Sequence, residues 1–462
     1  MFVNHVLCNS IVFLFYSLHF YLAVDKELLS LTNNLHFLFF PVFLLHTSVL
    51  SSAMFRRCSS SLMRRTALAL SGAGGSPILP VTTLTDDEKM LVDTVRSYCL
   101  KHLAPRSLEM DEKGEMDPIV IQEAFNAGLM GIETPHEYEG GDMGFFGSLL
   151  AIEEVARHDP AMSVAVDVQN TLVNNIFFRY GNEAQKKNYL TKLATKHVGS
   201  FCLTEATSGS DAFALKTRAE KKGDKWVING TKMFITNGGI ADIFLVMANV
   251  DPSKGYKGIT CFVVDRTEGA GPTVVRKENK LGLRSSSTVE LLFENVEVSE
   301  ANIVGEIGQG YKIAINILNE GRVAIGAQMI GIAQGALDIV MPYIFERKQF
   351  GQAIGDFQGM QMQYAEVITK LHAARLMTYN AGRKKQNGED FIQDAAMAKL
   401  FSSQVAEEAA SRAIEWAGGI GFMKDFGLER FYRDAKIGAI YEGTSLIQLQ
   451  TIAKLVKAQY KK

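Results

Sequence analysis

The sequence predicts an α+β protein of three blocks: an N-terminal all-helical domain, a middle β-barrel or sandwich, and a C-terminal four-helix bundle. Three observations carry this. Apolar residues recur at helical spacing to about residue 197. Near Val198 the texture changes to short runs rich in Val, Ile, Phe and Thr, broken by Gly, Pro, Asp and Ser. From Gly308 long helical patterns return. A chain of 462 residues, 47% of them hydrophobic, is long enough for roughly three domains. The expected boundaries are 81–197, 198–305 and 306–462.

Residues before this folded text need separate treatment. The runs "IVFLFYSLHFYLAV" (11–24) and "LHFLFFPVFLLHTSVL" (35–50) are apolar but shorter than the roughly 20 residues a bilayer span needs. From Met54 the chain reads "MFRRCSSSLMRRTALALSGAGG", with Arg56, Arg57, Arg64 and Arg65 and no acid until Asp86. That is the composition of a mitochondrial transit peptide, expected over 54–80 with Met54 as the effective start. Residues 1–53 are then an apolar extension of doubtful status. A membrane-anchored form is the alternative, and a basic linker would share the composition.

The first helix opens at "LTDDEKMLVDTVRSYCLKHL", where Thr85 caps and Glu88 completes a capping box. Pro118 suits the start of the helix in "DPIVIQEAFNAGLMGI", and "GFFGSLLAIEEVARHD" is a long helical pattern. In the β block, "DKWVINGTKMFIT" reads as two strands around an Asn229-Gly230 hairpin. "ADIFLVMANV", "GITCFVVDR", "PTVVRKE" and "STVELLFENVEV" follow as further strands. The last block predicts helices near 309–346, 356–386, 391–417 and 429–458, joined by turns such as "KQNGED" and "GGIGF", hence a bundle.

Several chemistries are disfavoured. A net charge of -2 gives no general attraction to nucleic acid or an anionic surface, so a small-molecule ligand is favoured. The five cysteines contain no CxxC pair and fit a reducing compartment. There is no GxGxxG after a strand and no GxxxxGK[ST], which argues against a Rossmann NAD site and a P-loop. "HEYEG" lacks the second histidine of a zinc protease, and the nine histidines form no ligand cluster, so no metal is expected.

Five stretches carry candidate chemistry. In "FCLTEATSGSD", Thr204, Thr207, Ser208 and Ser210 crowd around Gly209, a loop able to hold phosphates or the polar edge of a ring, or simply a turn. Phe234 and Thr236, two apart in a strand, make a wall for a flat cofactor, or a core Phe beside a surface Thr. Arg347 before Phe350-Gly351, with Gln358 beyond, could meet a diphosphate, or could merely face a helix dipole. The glycines of "EWAGGIGF" allow close backbone approach, or end a helix. Glu442 interrupts "IGAIYEGTSLIQL": partial desolvation there would raise its pKa toward neutrality, as a general base needs. Gly443 and Thr444 argue for a helix break exposing the carboxylate to a cavity, with a solvent-facing Glu as the bland alternative.

These motifs occur together, in order, with "GLMGIETPHEYEGG", "KTRAEKKGDKWVINGTKMFITNGG", "MANVDPSKGYKGIT", "ENKLGLRSSST", "ERKQFG" and "RDAKIGAIYEGTSLIQ". From about 86 to 460 the chain resembles the acyl-CoA dehydrogenases, and among them the short branched-chain members. The resemblance implies the three-domain fold in a homotetramer, FAD as cofactor, and electron-transfer flavoprotein as acceptor. The location would be the mitochondrial matrix, with no membrane association of the mature form and no nucleic acid. It implies dehydrogenation of short branched acyl-CoA, such as 2-methylbutyryl- or isobutyryl-CoA, to 2-enoyl-CoA. Glu442 would take the α-proton while the β-hydride goes to flavin N5. FAD contacts carried over are Phe201, Cys202, Leu203, Thr204, Gly209, Ser210, Phe234, Ile235 and Thr236. Further ones are Arg347, Phe350, Gln358, Glu415, Trp416, Ala417, Gly418, Gly419, Thr444, Ser445 and Leu446. Of these, Arg347, Gln358 and 415–419 would reach the FAD of a neighbouring subunit. Acyl-CoA contacts would be Ser210, Tyr256, Tyr311, Asn319, Glu320, Gly321 and Arg322.

Some members place the base directly before the arginine of the "NEGR" run; here that position is Gly321, which favours Glu442 with Glu320 as a neighbouring contact. Three departures from the family pattern bear on the cofactor: Phe234 in place of Trp, bulkier Thr207 and Ser208, and Leu446 where a polar residue is usual. An acyl-CoA oxidase and a non-enzymatic acyl-CoA or flavin binder, perhaps tethered through 1–53, are the alternative readings. Peroxide production and failure of bound flavin to bleach would respectively distinguish them.

Overall fold

A computed structural model describes residues 80–461 except Ala270. The expectations for 1–53 and for 54–80, all but its last residue, therefore fall outside the described residues. The N-terminal block is helical: α1 (Asp86–Tyr98), α2 (Ser107–Lys113), α3 (Pro118–Asn126), α4 (Gly144–His158), α5 (Pro160–Asp167), α6 (Asn175–Tyr180) and α7 (Glu183–Thr195). The capping box forms as expected, Glu88 N–H donating to Thr85 Oγ1 at 3.2 Å and Thr85 N–H to Glu88 Oε2 at 2.9 Å. A buried π-helical turn, Val168–Asn174, joins α5 to α6. Wide turns of this type inside helices frequently accompany functional sites.

The middle block is an eight-stranded sheet in the order β6-β7-β3-β2-β4-β5-β8, with β1 beside β4. Its strands are β1 (Gly199–Cys202), β2 (Arg218–Lys222), β3 (Lys225–Thr236), β4 (Ile243–Asn249), β5 (Ile259–Asp265), β6 (Thr273–Lys277), β7 (Thr288–Ser299) and β8 (Ile303–Val304). The hairpin expected at Asn229-Gly230 is not there. β3 runs unbroken through both residues, and the turn is Gly223-Asp224, closed by the Lys222–Lys225 pair with Gly223 at φ 64°. Gly230 serves a close approach instead: a Cβ there would stand 2.4 Å from Thr217 Oγ1.

The C-terminal block holds α8 (Gly310–Glu346), α9 (Gln358–Gln386) and α10 (Ile392–Ala417). The fourth expected segment is two helices, α11 (Leu428–Ala435) and α12 (Ser445–Tyr460), separated by a 3₁₀ turn at Lys436–Ala439 and a non-helical stretch around Glu442. α8 is lined with buried Val, Ile, Ala and Gly and forms the apolar centre of this block with α10. Buried Arg430 of α11 donates to Asp159 Oδ2 at 2.9 Å, while Asp159 Oδ1 caps α5. One buried carboxylate thus ties the first helical block to the last.

Candidate active site

Glu442 lies in the helix break. It has φ 51° and Gly443 has φ 87°, two successive left-handed residues. For a non-glycine residue that conformation costs about 1 kcal/mol, and such strain persists where surrounding contacts impose it. The contacts are Lys399 Nζ to the Gly443 carbonyl at 2.8 Å, and Gln448 Nε2 to the Glu442 and Gly443 carbonyls at 3.0 and 2.9 Å. Thr444 then caps α12, its Oγ1 accepting from Ile447 N–H at 3.3 Å.

The turn lays the carboxylate against α8 at Gly321, where a Cβ would stand 2.8 Å from Glu442 Oε2. A side chain at this position would push the carboxylate out of its present place. The residue as a whole is half-buried, but Oε2 is fully buried and has no hydrogen-bond partner. Burial pushes the carboxyl up to about 7, against the opposing charges of Arg322 and Lys399. The solvent-facing alternative is excluded. A partly ionised carboxylate with an unused buried oxygen can accept a proton from a group placed beside it.

Two of the sequence-distant cofactor stretches come together through one buried pair. Lys232 of β3, 0% exposed, donates to the Leu203 carbonyl at 2.9 Å and to Glu205 Oε1 at 2.8 Å. Glu205 also accepts from the amides of Lys216 (2.6 Å) and Thr217 (3.0 Å), and Met233 N–H donates to the Thr204 carbonyl at 2.8 Å. The hydroxyl loop is thereby fastened to the strand carrying Phe234. Phe234 does not share a regular strand face with Thr236: a register shift between Lys232 and Ile235 sets it at φ 58° and leaves it 57% exposed. Gly209 and Ser210 are exposed and Thr204 and Thr236 half-buried. Ser208 is buried and donates to the Asp211 carbonyl at 2.8 Å, so its added bulk does not protrude. Phe201 is half-buried, whereas the side chains of Cys202, Leu203 and Ile235 face the core.

Of the thioester candidates, Tyr256 and Tyr311 meet edge to face at 4.9 Å, with Phe213 against Tyr311 at 6.4 Å. Asn319 accepts from Arg322 Nη1 at 2.9 Å. The buried carboxylate of Glu320 is taken by Arg179, with Lys385 at 3.5 Å. Arg179, like Lys399, was not marked by sequence reasoning.

The remaining candidates lie on the bundle. Arg347 follows the end of α8, and Phe350 sits 95% exposed at the tip of a small ribbon formed by β9 (Lys348–Gln349) and β10 (Gln352–Ala353). Gln358, Glu415, Gly418, Gly419 and Leu446 are exposed and Ser445 half-buried, while Trp416 and Ala417 turn inward. Among the described residues no hydrogen bond or ion pair joins Arg347, Gln358, Gly418 or Gly419 to the hydroxyl loop or to Glu442. A Cβ at Gly209, Gly418 or Gly419 would meet nothing within 4 Å, so both stretches leave room for a group to approach the backbone closely. Hydroxyl donors, an exposed aromatic face, glycine backbone open to close approach and a partnerless carboxylate oxygen fit a flavin nucleotide and its thioester substrate.

Comparisons with known proteins agree. Three family models match in succession: "Acyl-CoA dehydrogenase, N-terminal domain" over 85–197, "middle domain" over 200–296, and "C-terminal domain" over 308–457. The chain is 53% identical over 382 residues to the short/branched chain specific acyl-CoA dehydrogenase, mitochondrial, of Rattus norvegicus, covering 82% of this chain and 88% of the relative. It is 38% identical to butyryl-CoA dehydrogenase from Megasphaera elsdenii, with a TM-score of 0.79 over 81% of this chain and 99% of that one. A chain described as "Electron transferring flavoprotein of Acidaminococcus fermentans: Towards a mechanism of flavin-based electron bifurcation" superposes with a TM-score of 0.80 at 38% identity, covering 82% of this chain and 100% of that chain.

Proposed function

The chain belongs to the acyl-CoA dehydrogenase family, and from that premise we propose that Glu442 is the base of an α,β-dehydrogenation. The protein is an FAD-dependent acyl-CoA dehydrogenase acting on short branched acyl-CoA. Bound FAD supplies the acceptor for the hydrogen that leaves the β-carbon with its electron pair.

The chain's own residues do the rest. Glu442 Oε2 takes the α-proton, and the electrons of that C–H bond become the second bond of the 2-enoyl product. Its burial without a partner carries the reading, because an oxygen already accepting hydrogen bonds would be a weaker base. Arg322 and Lys399 keep enough of the carboxyl ionised near neutral pH. The Lys232–Glu205 pair fixes the loop from Thr204 to Ser210 against Phe234, giving the flavin a hydroxyl edge and an aromatic face. Tyr256, Tyr311, Asn319, Gly321 and Arg322 receive the thioester in this reading. Leu446, 75% exposed, adds apolar surface beside the base turn where it cannot donate a hydrogen bond.

The base must be ionised to act. The rate of anaerobic flavin bleaching by 2-methylbutyryl-CoA should therefore rise with pH through a half-maximal value near pH 7, the carboxyl's own value of about 7. A rate flat from pH 5.5 to 8.5 would rule out a base with this titration.

The protein is mitochondrial, and we read its compartment as the matrix, which protease protection in intact mitoplasts tests. An electron-transfer flavoprotein as acceptor is supported by the likeness to the Acidaminococcus chain. A homotetramer is supported by the exposure of Phe350 and Phe422, at 95% and 74%, beside the candidate residues Arg347, Gly418 and Gly419. In this reading those residues complete the FAD site of a second copy. Light scattering of the FAD-loaded protein should give four times the chain mass; a fully loaded monomer would contradict it.

A further inference from the structure

The turn carrying Glu442 is held from α10 as well as by its own chain. Lys399 and Ser403 stand one turn apart on α10, both buried. Ser403 Oγ donates to the Gly438 carbonyl at 2.9 Å and Lys399 Nζ to the Gly443 carbonyl at 2.8 Å, so the two residues grip the chain on either side of the base. Lys399 is 0% exposed among Ala395, Ala396, Ala398 and Ser402, and forms no ion pair with any carboxylate among the described residues. A buried ammonium resting on one neutral carbonyl is costly unless its charge has a use nearby.

We propose that Lys399 is a positioning residue for the base, holding the left-handed Glu442-Gly443 turn by its carbonyl and standing as counter-charge to the ionised Glu442 carboxylate. The inference rests on Glu442 being the base. The groups facing Glu442 are Arg322 from α8, Lys399 from α10, Asp167 from α5 and neighbouring Tyr441. Burial raises Asp167 well above its usual range and raises Tyr441 likewise, and neither group can carry a positive charge. Arg322 and Lys399 are therefore the charges that favour the carboxylate. Burial pushes the Lys399 ammonium down to about 8, with Glu442 opposing.

The test compares FAD-loaded wild type, Lys399→Met, Lys399→Gln and Glu442→Gln by flavin content, thermal midpoint, and anaerobic bleaching with 2-methylbutyryl-CoA across pH. In Lys399→Met the saturating rate should fall about tenfold through misplacement of the carboxylate, with little change in half-saturation. The acid limb of the same variant should move up by roughly one pH unit as the counter-charge is lost. Lys399→Gln, which keeps a donor without charge, should recover part of the rate above the limb but keep the displaced limb. A merely structural role would lower flavin content and midpoint together and leave the limb of the bound fraction in place.

A Lys399→Met enzyme that binds FAD with wild-type rate and limb overturns the inference. If that variant does not fold, Lys399→Gln and Gln448→Leu decide. Gln448→Leu removes the other donor to the same carbonyl, so its rate should fall with the limb unmoved. Wild-type rates in both would overturn the positioning claim. Persistent bleaching in Glu442→Gln would instead overturn the base assignment itself.

Discussion

Glu442→Gln should retain FAD and acyl-CoA binding yet lose turnover by about 10⁴-fold, the upper range for removing a positioned general base. The amide has the carboxylate's shape, and the turn is held through the Glu442 and Gly443 carbonyls rather than through the side chain. Orientation is therefore preserved while the proton acceptor is lost. The same variant should show a stability signature. The native carboxyl sits at about 7, above the 4.5 of an unperturbed Glu, so the folded wild type holds a proton that the unfolded chain has released between those values. Wild-type stability then declines as pH rises from about 4.5 to about 7. Glu442→Gln lacks that decline, so its thermal midpoint relative to wild type should be higher at pH 8 than at pH 5. A variant that unfolds or loses FAD at every pH would show that the carboxylate's role is structural.

Lys232→Met should cost about 3–5 kcal/mol, the usual consequence of removing one partner of a buried ion pair. Lys232 is fully buried, and its three-way arrangement with the Leu203 carbonyl and Glu205 joins the hydroxyl loop to β3. Loss of the ammonium leaves Glu205 charged and buried with only the Lys216 and Thr217 amides. FAD retention should fall with stability, because the loop would no longer be pinned beside Phe234. Pairing the change with Glu205→Gln should recover part of the loss, since the uncompensated charge is removed with its partner. Denaturant unfolding and flavin content after gel filtration measure both effects. A stable Lys232→Met protein with full flavin would mean that the pair does not organise this wall.

Much of this architecture is legible in the chain because it rests on local chemistry. The Thr85/Glu88 box, Pro118 after Asp117, and the change of period near Val198 each act over a few residues. The Asn229-Gly230 signal misleads for a long-range reason: the glycine admits Thr217, a contact that hairpin chemistry does not encode. The break in the last helix is half-legible, since Gly443 and Thr444 weaken a helix but do not give the left-handed backbone of Glu442. The ion pair of Glu320 is not legible because its partner Arg179 lies 141 residues away on α6. Lys399 leaves a signal that can be learned: in "AAMAKLFSS" a lone lysine stands among alanines, Met397, Leu400 and Phe401, a stretch whose other residues are those of a buried helix face.

Removal of the α-proton by Glu442 is tested most directly by single-turnover bleaching of the bound flavin with 2-methylbutyryl-CoA, protiated or deuterated at the α-carbon, in wild type and Glu442→Gln. The account predicts rapid bleaching in wild type, slowed by deuteration, with a half-maximal rate near the carboxyl's pKa of about 7, and no bleaching on that timescale in the variant. Bleaching of Glu442→Gln at the wild-type rate would contradict it and move the search for the base elsewhere on the walls of this site.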